Sequence, residues 1–473
     1  MGTPYQLQEP LRDLKVTLQE TCLVFPSQQT ERRSLYLSNI DQVLDFHFQT
    51  VHFFQARKDY PPDVVTERVK DGLSRVLVAY DFLAGRLRPS NGISGGGEEG
   101  GGGRRLEIDC DGSGVGFVVA SSEYTLEEIG DLVYPNPAFR QLAPQGSGRM
   151  DELVKDGNLP LCIVQVTSFK CGGFAIGLSN NHTTLDGTSL KIFLENLASQ
   201  SAQKPFLAIT PCNDRRLLAA RSPPQVTFPH LELLKLKTPT PDQTIPAVFN
   251  SPQDALLDFK IFCLSSSDIS SLKNNAKRDI TAEFKITSFN VVTAHVWRCK
   301  ALSSSETVQN PDRLSTLLYA VDIRSRLEPP LPQSYTGNAV LTTYVSVSCK
   351  DLEELPFSKV VEMVSEGARR MTDEYARSAI DWGEVNKGFP HGEFLVSSWW
   401  RLGFAQVEYP WGKPMYSCPV VHHRKDVVVL FPDIVDEDSR VNVLVALPRE
   451  EMLVFEKLFH KFLAYVCRCV DEC

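Results

Sequence analysis

The sequence predicts a two-domain protein of mixed α/β (α+β) class, and three observations carry that prediction. At 473 residues the chain exceeds what one ordinary hydrophobic core serves. Apolar runs of period 2 and of period 3.6 occur together on both sides of its middle. Between them, residues 205–252 hold nine of the 30 prolines, a spacing in which no amphipathic helix of useful length survives. The division is therefore residues 1–204, a proline-rich crossover at 205–255, and residues 256–473.

The first half opens with "LKVTLQETCLVFPS" (14–27), which mixes polar and apolar residues like an edge strand. "DFHFQTVHFFQ" (45–55) is a second strand, rich in aromatic and β-branched residues. The period then changes: Val65, Val69, Leu73, Val76, Leu77 and Tyr80 recur at helical spacing, with Pro62 and Asp63 suited to a helix start. Residues 86–120 have the form strand, loop, strand, turn, strand, and the glycine tract 95–103 is low-complexity surface loop. "GSGVG" (112–116) joins two strand-like runs and precedes no helix, so it lacks the helix-end amides of a phosphate loop. "GGFAIGLSNNH" (172–182) alternates Phe174, Ile176 and Leu178 like a half-buried strand, and Leu190, Phe193, Leu194 and Leu197 then share one helical face.

Beyond the crossover, "LDFKIFCLSSSDISSLKNNAK" (257–277) repeats strand then helix, and "SFNVVTAHVWRCKAL" (288–302) is a helix. "STLLYAVDIRSRL" (315–327) is a buried strand, and "YTGNAVLTTYVSVS" (335–348) opens another strand region. "KDVVVLFPDIV" and "RVNVLVALP" are strands, followed by a final helix from Arg449.

Composition removes several functions. The formal net charge of −9 and the lack of a long Lys/Arg block leave no basic footprint for nucleic acid. No apolar run reaches the ~18–20 residues of a membrane span, and the N-terminus lacks a basic start and apolar stretch. Gln6 stands where a myristoylation signal wants Ser or Thr. The 12 cysteines are scattered without a CxxC pair, as free thiols in a reducing compartment are. Cys467, Cys469 and Cys473, near His460, lack metal-ligand spacing, so no metal is expected. The reading is a cytoplasmic protein.

Chemistry concentrates at "HTTLDG" (182–187), where a strand ends and a helix begins. Spacing alone leaves two readings open: His182 as a base with Asp186 beside it, or Asp186 as a simple N-cap next to a buried histidine. Asn181-His182-Thr183 is also a glycosylation sequon, meaningful only in a secreted chain.

"HTTLDG" resembles the HxxxDG signature of the plant BAHD acyl-CoA-dependent acyltransferases. "FLAGRL" (82–87), "LEIDCDGSGVGFV" (106–118), "TAHVWR" (293–298), "VDIRSRLEPPLP" (321–332), "YTGNAV" (335–340) and "SSWWRLGF" with "YPWGKP" (397–414) follow in the family's order and cover nearly the whole chain. The resemblance implies two similar domains of chloramphenicol acetyltransferase type, joined by a long crossover, with an active-site channel at their interface. It implies acyl-CoA as co-substrate with no permanently bound cofactor, a small-molecule acceptor as the other partner, and a monomer.

For individual residues, the resemblance implies that His182 is the general base and that Asp186 is structural, bonding an arginine of "VDIRSR". Arg324 is preferred over Arg326 for that role. Gly187 keeps the corner narrow. Ser397 and Trp399 occupy positions of oxyanion or substrate donors, with core filling as the alternative. Thr50 and His52 lie on a strand that lines the acceptor side in relatives, His52 otherwise being an ordinary strand histidine. The family's DFGWG signature is altered here to "EYPWG": Glu408, Trp411 and Gly412 keep its structural pattern, while Pro410 replaces a glycine. "YTGNA" replaces the YFGNC motif of anthocyanin acylation and argues against that role. "LSNIDQ" (37–42) resembles members that transfer hydroxycinnamoyl groups to long-chain hydroxy lipids. The expectation is O-acyl transfer from a hydroxycinnamoyl or fatty acyl donor to a hydrophobic alcohol such as a cuticle lipid or steroid. N-acyl transfer to an amine and a non-catalytic accessory protein of lipid elongation are the alternatives.

Overall fold

The structure, a computed structural model, describes residues 11–90, 105–133, 136–144, 154, 158–235, 257–278, 285–420, 424–434 and 440–471. The glycine tract 95–103, the later part of the crossover and the side chains of Cys467, Cys469 and Cys473 lie outside them. The chain forms two compact units. One comprises Met1–Ala219, Leu331–Ala339 and Leu402–His422, the other Ala220–Pro330, Val340–Arg401 and His423–Cys473. This corrects the division drawn from sequence. "EYPWG" belongs to the first unit, because two segments of the later sequence return to pair with it. The crossover is itself divided at Ala219.

The first unit is built on a six-stranded sheet in the order Val16–Val24, Val115–Ser122, Cys162–Ser168, Phe174–Asn181, His47–Phe54 and Tyr416–Pro419. Only the pair Val115–Ser122 and Cys162–Ser168 is parallel. The helices Pro62–Val76 and Gly187–Ser201 pack on each other. A Cβ on Gly72 would lie 2.5 Å from Ser201 Oγ, so glycine allows that approach. A small sheet of Arg33–Tyr36, Leu106–Cys110 and Arg86–Pro89 completes the unit. "GSGVG" is a connector, and Arg86 donates to the Gly114 and Ser113 carbonyls at 2.9 and 3.4 Å. That arrangement turns carbonyl oxygens toward a cation, the opposite of an anion cradle.

The second unit has its own six-stranded sheet, ordered Leu257–Leu264, Val441–Pro448, Val427–Pro432, Phe394–Ser398, Leu314–Asp322 and Val340–Ser348. The strand Phe394–Ser398 is parallel to both neighbours. Helices Ser266–Lys277, Ser288–Ser303, Phe357–Arg370 and Arg449–Asp471 accompany it. The early crossover is held to the helix Asp373–Val385. Asp381 accepts from Arg221 N and Gln225 N, and Ser378 Oγ accepts from Thr227 N at 2.9 Å. A proline-rich segment outside regular secondary structure needs such acceptors for its amides.

In "EYPWG", Gly412 N donates to Tyr409 O at 2.9 Å and Tyr409 N to Gly412 O at 3.2 Å, closing a tight turn. Pro410 follows the first residue of that turn, where a fixed φ is favoured, so proline replaces glycine without penalty. Gly412 has φ +102°, which only glycine adopts readily. The buried Tyr409 and Trp411 rings stack at 5.2 Å, and both meet Phe54 edge-on. Trp411 also meets Phe174. Glu408 is exposed, with Lys413 at 3.9 Å. The turn is therefore an aromatic clamp that seats the strand Tyr416–Pro419 beside His47–Phe54. Trp411→Ala is expected to lower unfolding free energy by about 3–5 kcal/mol. Pro410→Gly should change it by less than about 1 kcal/mol. Denaturant titration followed by tryptophan fluorescence and circular dichroism checks both.

Candidate active site

The role of "HTTLDG" follows from how its turn is held. Asn181 ends the strand Phe174–Asn181, and its Oδ1 accepts from Thr183 N and Thr183 Oγ1 at 3.0 and 2.7 Å. Its amide nitrogen donates to Asp45 at 2.9 Å, and the residue is buried. That burial removes the sequon reading, because a glycosylation acceptor must be exposed. His182 N donates to Phe46 O at 2.8 Å, which ties the corner to the neighbouring strand.

The His182 ring is half-buried between Phe46 and Phe48, with centroids at 5.2 and 5.0 Å. Its Nδ1 lies 3.1 Å from Asn338 Oδ1. The orientation of the Asn338 amide is fixed by its other end, which donates to Asp41 Oδ1 and His182 O, both at 2.7 Å. With the oxygen facing the ring, Nδ1 must carry the proton, and Nε2 keeps the lone pair. Nε2 has no hydrogen-bond partner among the described residues. Burial lowers the imidazole's pKa from its ordinary value, partly opposed by a backbone hydrogen bond and by Asp186, Asn338 and Asp41. The ring is thus neutral near pH 7 and able to accept a proton.

Asp186 is the N-cap of the helix Gly187–Ser201, one oxygen accepting from Ser189 N at 2.9 Å. Its other oxygen accepts from Ala339 N at 3.0 Å. Ser189 Oγ donates to Gly337 O at 2.8 Å and sits 2.9 Å from Gly337 N. Asp186 and Ser189 together stitch residues 337–339 to the start of the helix. That segment carries Asn338, so the aspartate acts on the histidine through it. A Cβ on Gly187 would meet Leu402 at 2.7 Å, so the glycine makes room for Leu402.

Asp41 and Arg215 were absent from the site read in sequence. "LSNIDQ" folds as a short helix, Asn39–Gln42, capped by Ser38, whose N and Oγ both donate to Asp41 Oδ2 at 2.8 Å. Arg215 Nη1 meets Asp41 Oδ1 at 3.0 Å, both side chains wholly enclosed, and Arg215 also donates to Thr183 O and Thr184 O. Asp41 of "LSNIDQ" therefore serves as internal scaffolding beneath the His182 turn. The available signal was Ser38 three residues before Asp41, a capping pair, but nothing local in the sequence points to Arg215.

Thr50 and His52 share a strand face with Phe48, and both are buried. His52 Nε2 is 3.1 Å from Thr50 Oγ1, and its Nδ1 is 2.8 Å from Ser417 Oγ. Both ring nitrogens are engaged inside the sheet, as in an ordinary strand histidine. Complete burial lowers its pKa to about 3. In the second unit, Ser397 pairs with Val429 across the sheet, and Trp399 N donates to Leu430 O at 2.7 Å. Both side chains are half-buried. Arg324 bonds Asp322 at 3.0 Å, and Arg326 donates to the carbonyls of Ala368 and Met371.

A family model described as the Transferase family matches residues 14–462. The chain is 57% identical over 469 residues to acyltransferase GLAUCE of Arabidopsis thaliana, covering 97% of this chain and 99% of that one. It is 34% identical over 454 residues to omega-hydroxypalmitate O-feruloyl transferase of the same plant, covering 94% and 93%. Among solved structures, vinorine synthase shares the fold with a TM-score of 0.69 at 22% identity, covering 93% and 96%.

The buried histidines impose an acid dependence on stability. His52 takes a proton below pH 6.5 in the unfolded chain but only near pH 3 when folded. Stability is therefore full above about pH 6.5 and falls as pH drops toward 3, by about 1.4 kcal/mol per pH unit for such a group. His52→Asn should reduce that slope by about one proton between pH 6 and 4, read from urea midpoints across pH.

Proposed function

Because the chain belongs to the Transferase family, the BAHD acyl-CoA-dependent acyltransferases, we propose that His182 is the general base of acyl transfer to an alcohol. The protein is an acyltransferase with acyl-CoA as co-substrate. The observation that carries the further reading is the state of the His182 ring. Its Nδ1 is held by Asn338, and Nε2 is left with a lone pair and no protein partner among the described residues.

An alcohol oxygen within reach of Nε2 gives up its proton as it attacks the thioester carbonyl. The carbonyl electrons move onto oxygen, and the tetrahedral species collapses with cleavage of the carbon–sulfur bond. Coenzyme A thiolate leaves and takes the proton back from Nε2, so neutral His182 is restored. Ser397 Oγ and Trp399 Nε1 are proposed as donors to the developing oxyanion, and Arg324 as the arginine that supports Asp186.

The proposed donor is a hydroxycinnamoyl thioester, with a fatty acyl thioester as the alternative, and the proposed acceptor is a hydrophobic alcohol. Support comes from the partly exposed Phe46 and Phe48 rings beside His182, which offer apolar walls to a chain or ring. The 34% identical relative carries an omega-hydroxypalmitate and a feruloyl group in its name. The intact turn geometry of "EYPWG" favours an enzyme over an accessory protein, since Pro410 leaves the clamp in place.

The test is release of coenzyme A thiol from feruloyl, p-coumaroyl, acetyl, malonyl and palmitoyl thioesters against long-chain alcohols, omega-hydroxy acids and amines. Acceptor-dependent release with feruloyl or p-coumaroyl donors is expected, with ester product identified by mass. His182→Ala should lower kcat/KM by at least about 100-fold. Equal activity in the variant, or amide as the sole product, overturns the proposal.

A further inference from the structure

The side chains around His182 close a ring of contacts. His182 Nδ1 donates to Asn338 Oδ1, Asn338 Nδ2 donates to Asp41 Oδ1, and Asp41 Oδ1 accepts from Arg215 at 3.0 Å. Arg215 then donates to the carbonyls of Thr183 and Thr184, the two residues that follow His182. The Asn338 amide also holds the His182 carbonyl at 2.7 Å, so it grips backbone and ring of one residue at once.

We infer that Asn338, anchored by the Asp41–Arg215 pair, is the positioning residue that selects the base-competent tautomer of His182. The inference rests on the proposed role of His182 as base.

Two features distinguish this from general packing. First, the position demands a group that accepts from one neighbour and donates to another. A carboxylate at 338 could take the ring N–H, but it would face the Asp41 carboxylate across the present 2.7 Å contact. Like charges at that distance exclude each other unless one is protonated. The amide satisfies both sides with no added charge beside the ring. Asp41 and Asp186 are the ionised groups acting on the imidazole, and Asp41 is offset by Arg215.

Second, the backbone at 337 is shaped for this arrangement. Gly337 has φ +153°, and a Cβ there would lie 2.7 Å from the Arg215 guanidinium. Glycine lets Arg215 lie directly under the residue preceding Asn338. In serine hydrolases a buried carboxylate orients histidine through the same nitrogen, and a wrong tautomer there costs several orders of magnitude in rate. Here an amide does the orienting and the carboxylate stands one bond further away.

The experiment is long-range nitrogen–proton NMR on the full chain carrying nitrogen-15 histidine, with the His182 signals assigned by their loss in His182→Ala. In the native protein at neutral pH, a protonated Nδ1 and an unprotonated Nε2 are expected. Asn338→Ala should populate the other tautomer and lower kcat about 100-fold with KM within about threefold. A proton on Nε2 in the native protein overturns the inference, and that reading needs no variant to fold. An unchanged tautomer and kcat in Asn338→Ala overturn it equally. Full activity of His182→Ala instead overturns the base assignment, while the NMR result still decides whether Asn338 sets the tautomer.

Discussion

The wholly buried ion pair of Arg215 and Asp41 is the constraint on which the site depends. Removing two charges from water costs several kcal/mol for each, and only near-complete hydrogen bonding offsets that cost. Asp41 is accordingly surrounded by Ser38 N, Ser38 Oγ, Asn338 Nδ2 and Arg215 Nη1. Arg215 places Nη1 and Nη2 on the carbonyls of Thr183 and Thr184, while its buried Nε has no partner among the described residues. Those acceptors are fixed backbone atoms, so satisfying the arginine fixes the turn carrying His182. The Phe82 ring, 5.5 Å from the guanidinium, completes its surroundings. A pair so enclosed contributes little net stability, yet removing either partner would leave an unmatched charge in the core.

The HxxxDG spacing follows from the same geometry. The histidine must end the strand, where its ring projects beyond the sheet. The aspartate must stand at the helix N-cap, where one oxygen closes the first turn and the other remains for Ala339 N. Three residues between them are what the turn needs, and Asn181 holds their amide and hydroxyl groups from the strand side. The electrostatic outcome is a neutral imidazole among aromatic rings, with one nitrogen committed and one available. Substituting asparagine for the carboxylate of a triad keeps the ring oriented without drawing it toward its charged form.

The first unit is assembled from segments far apart in sequence. Residues 331–339 bring Asn338 to the histidine, and residues 402–422 bring Leu402 over Gly187 and an added strand beside His47–Phe54. The altered signature belongs to this second return. Its stacked Tyr409 and Trp411 rings bury against Phe54 and Phe174, and the backbone turn between them accepts proline at its second position. A change that breaks a sequence pattern therefore preserves the physical job of the segment, which is to clamp a strand.

Much of the architecture was legible in the chain itself. Alternation marked Phe174–Asn181, helical spacing marked Pro62–Val76 and Gly187–Ser201, and proline density marked the start of the crossover. Strand Cys162–Ser168 was missed because a strand buried on both faces loses its alternation. Helices Phe357–Arg370 and Asp373–Val385 are both amphipathic, so their periodicity is present in the sequence although no prediction was drawn from it. His182, Asp186 and Gly187 stood out because their spacing is local and short. Asn338, Asp41 and Arg215 did not, because their partners lie 156, 297 and 174 positions away. The sequence by itself determined the periodic elements that stood out, the family pattern and the place of the histidine at a strand end, since periodicity and local turns are properties of neighbouring residues. Only the tertiary structure decided which ring nitrogen keeps its lone pair, because that choice belongs to an amide and a buried charge that folding alone brings beside it.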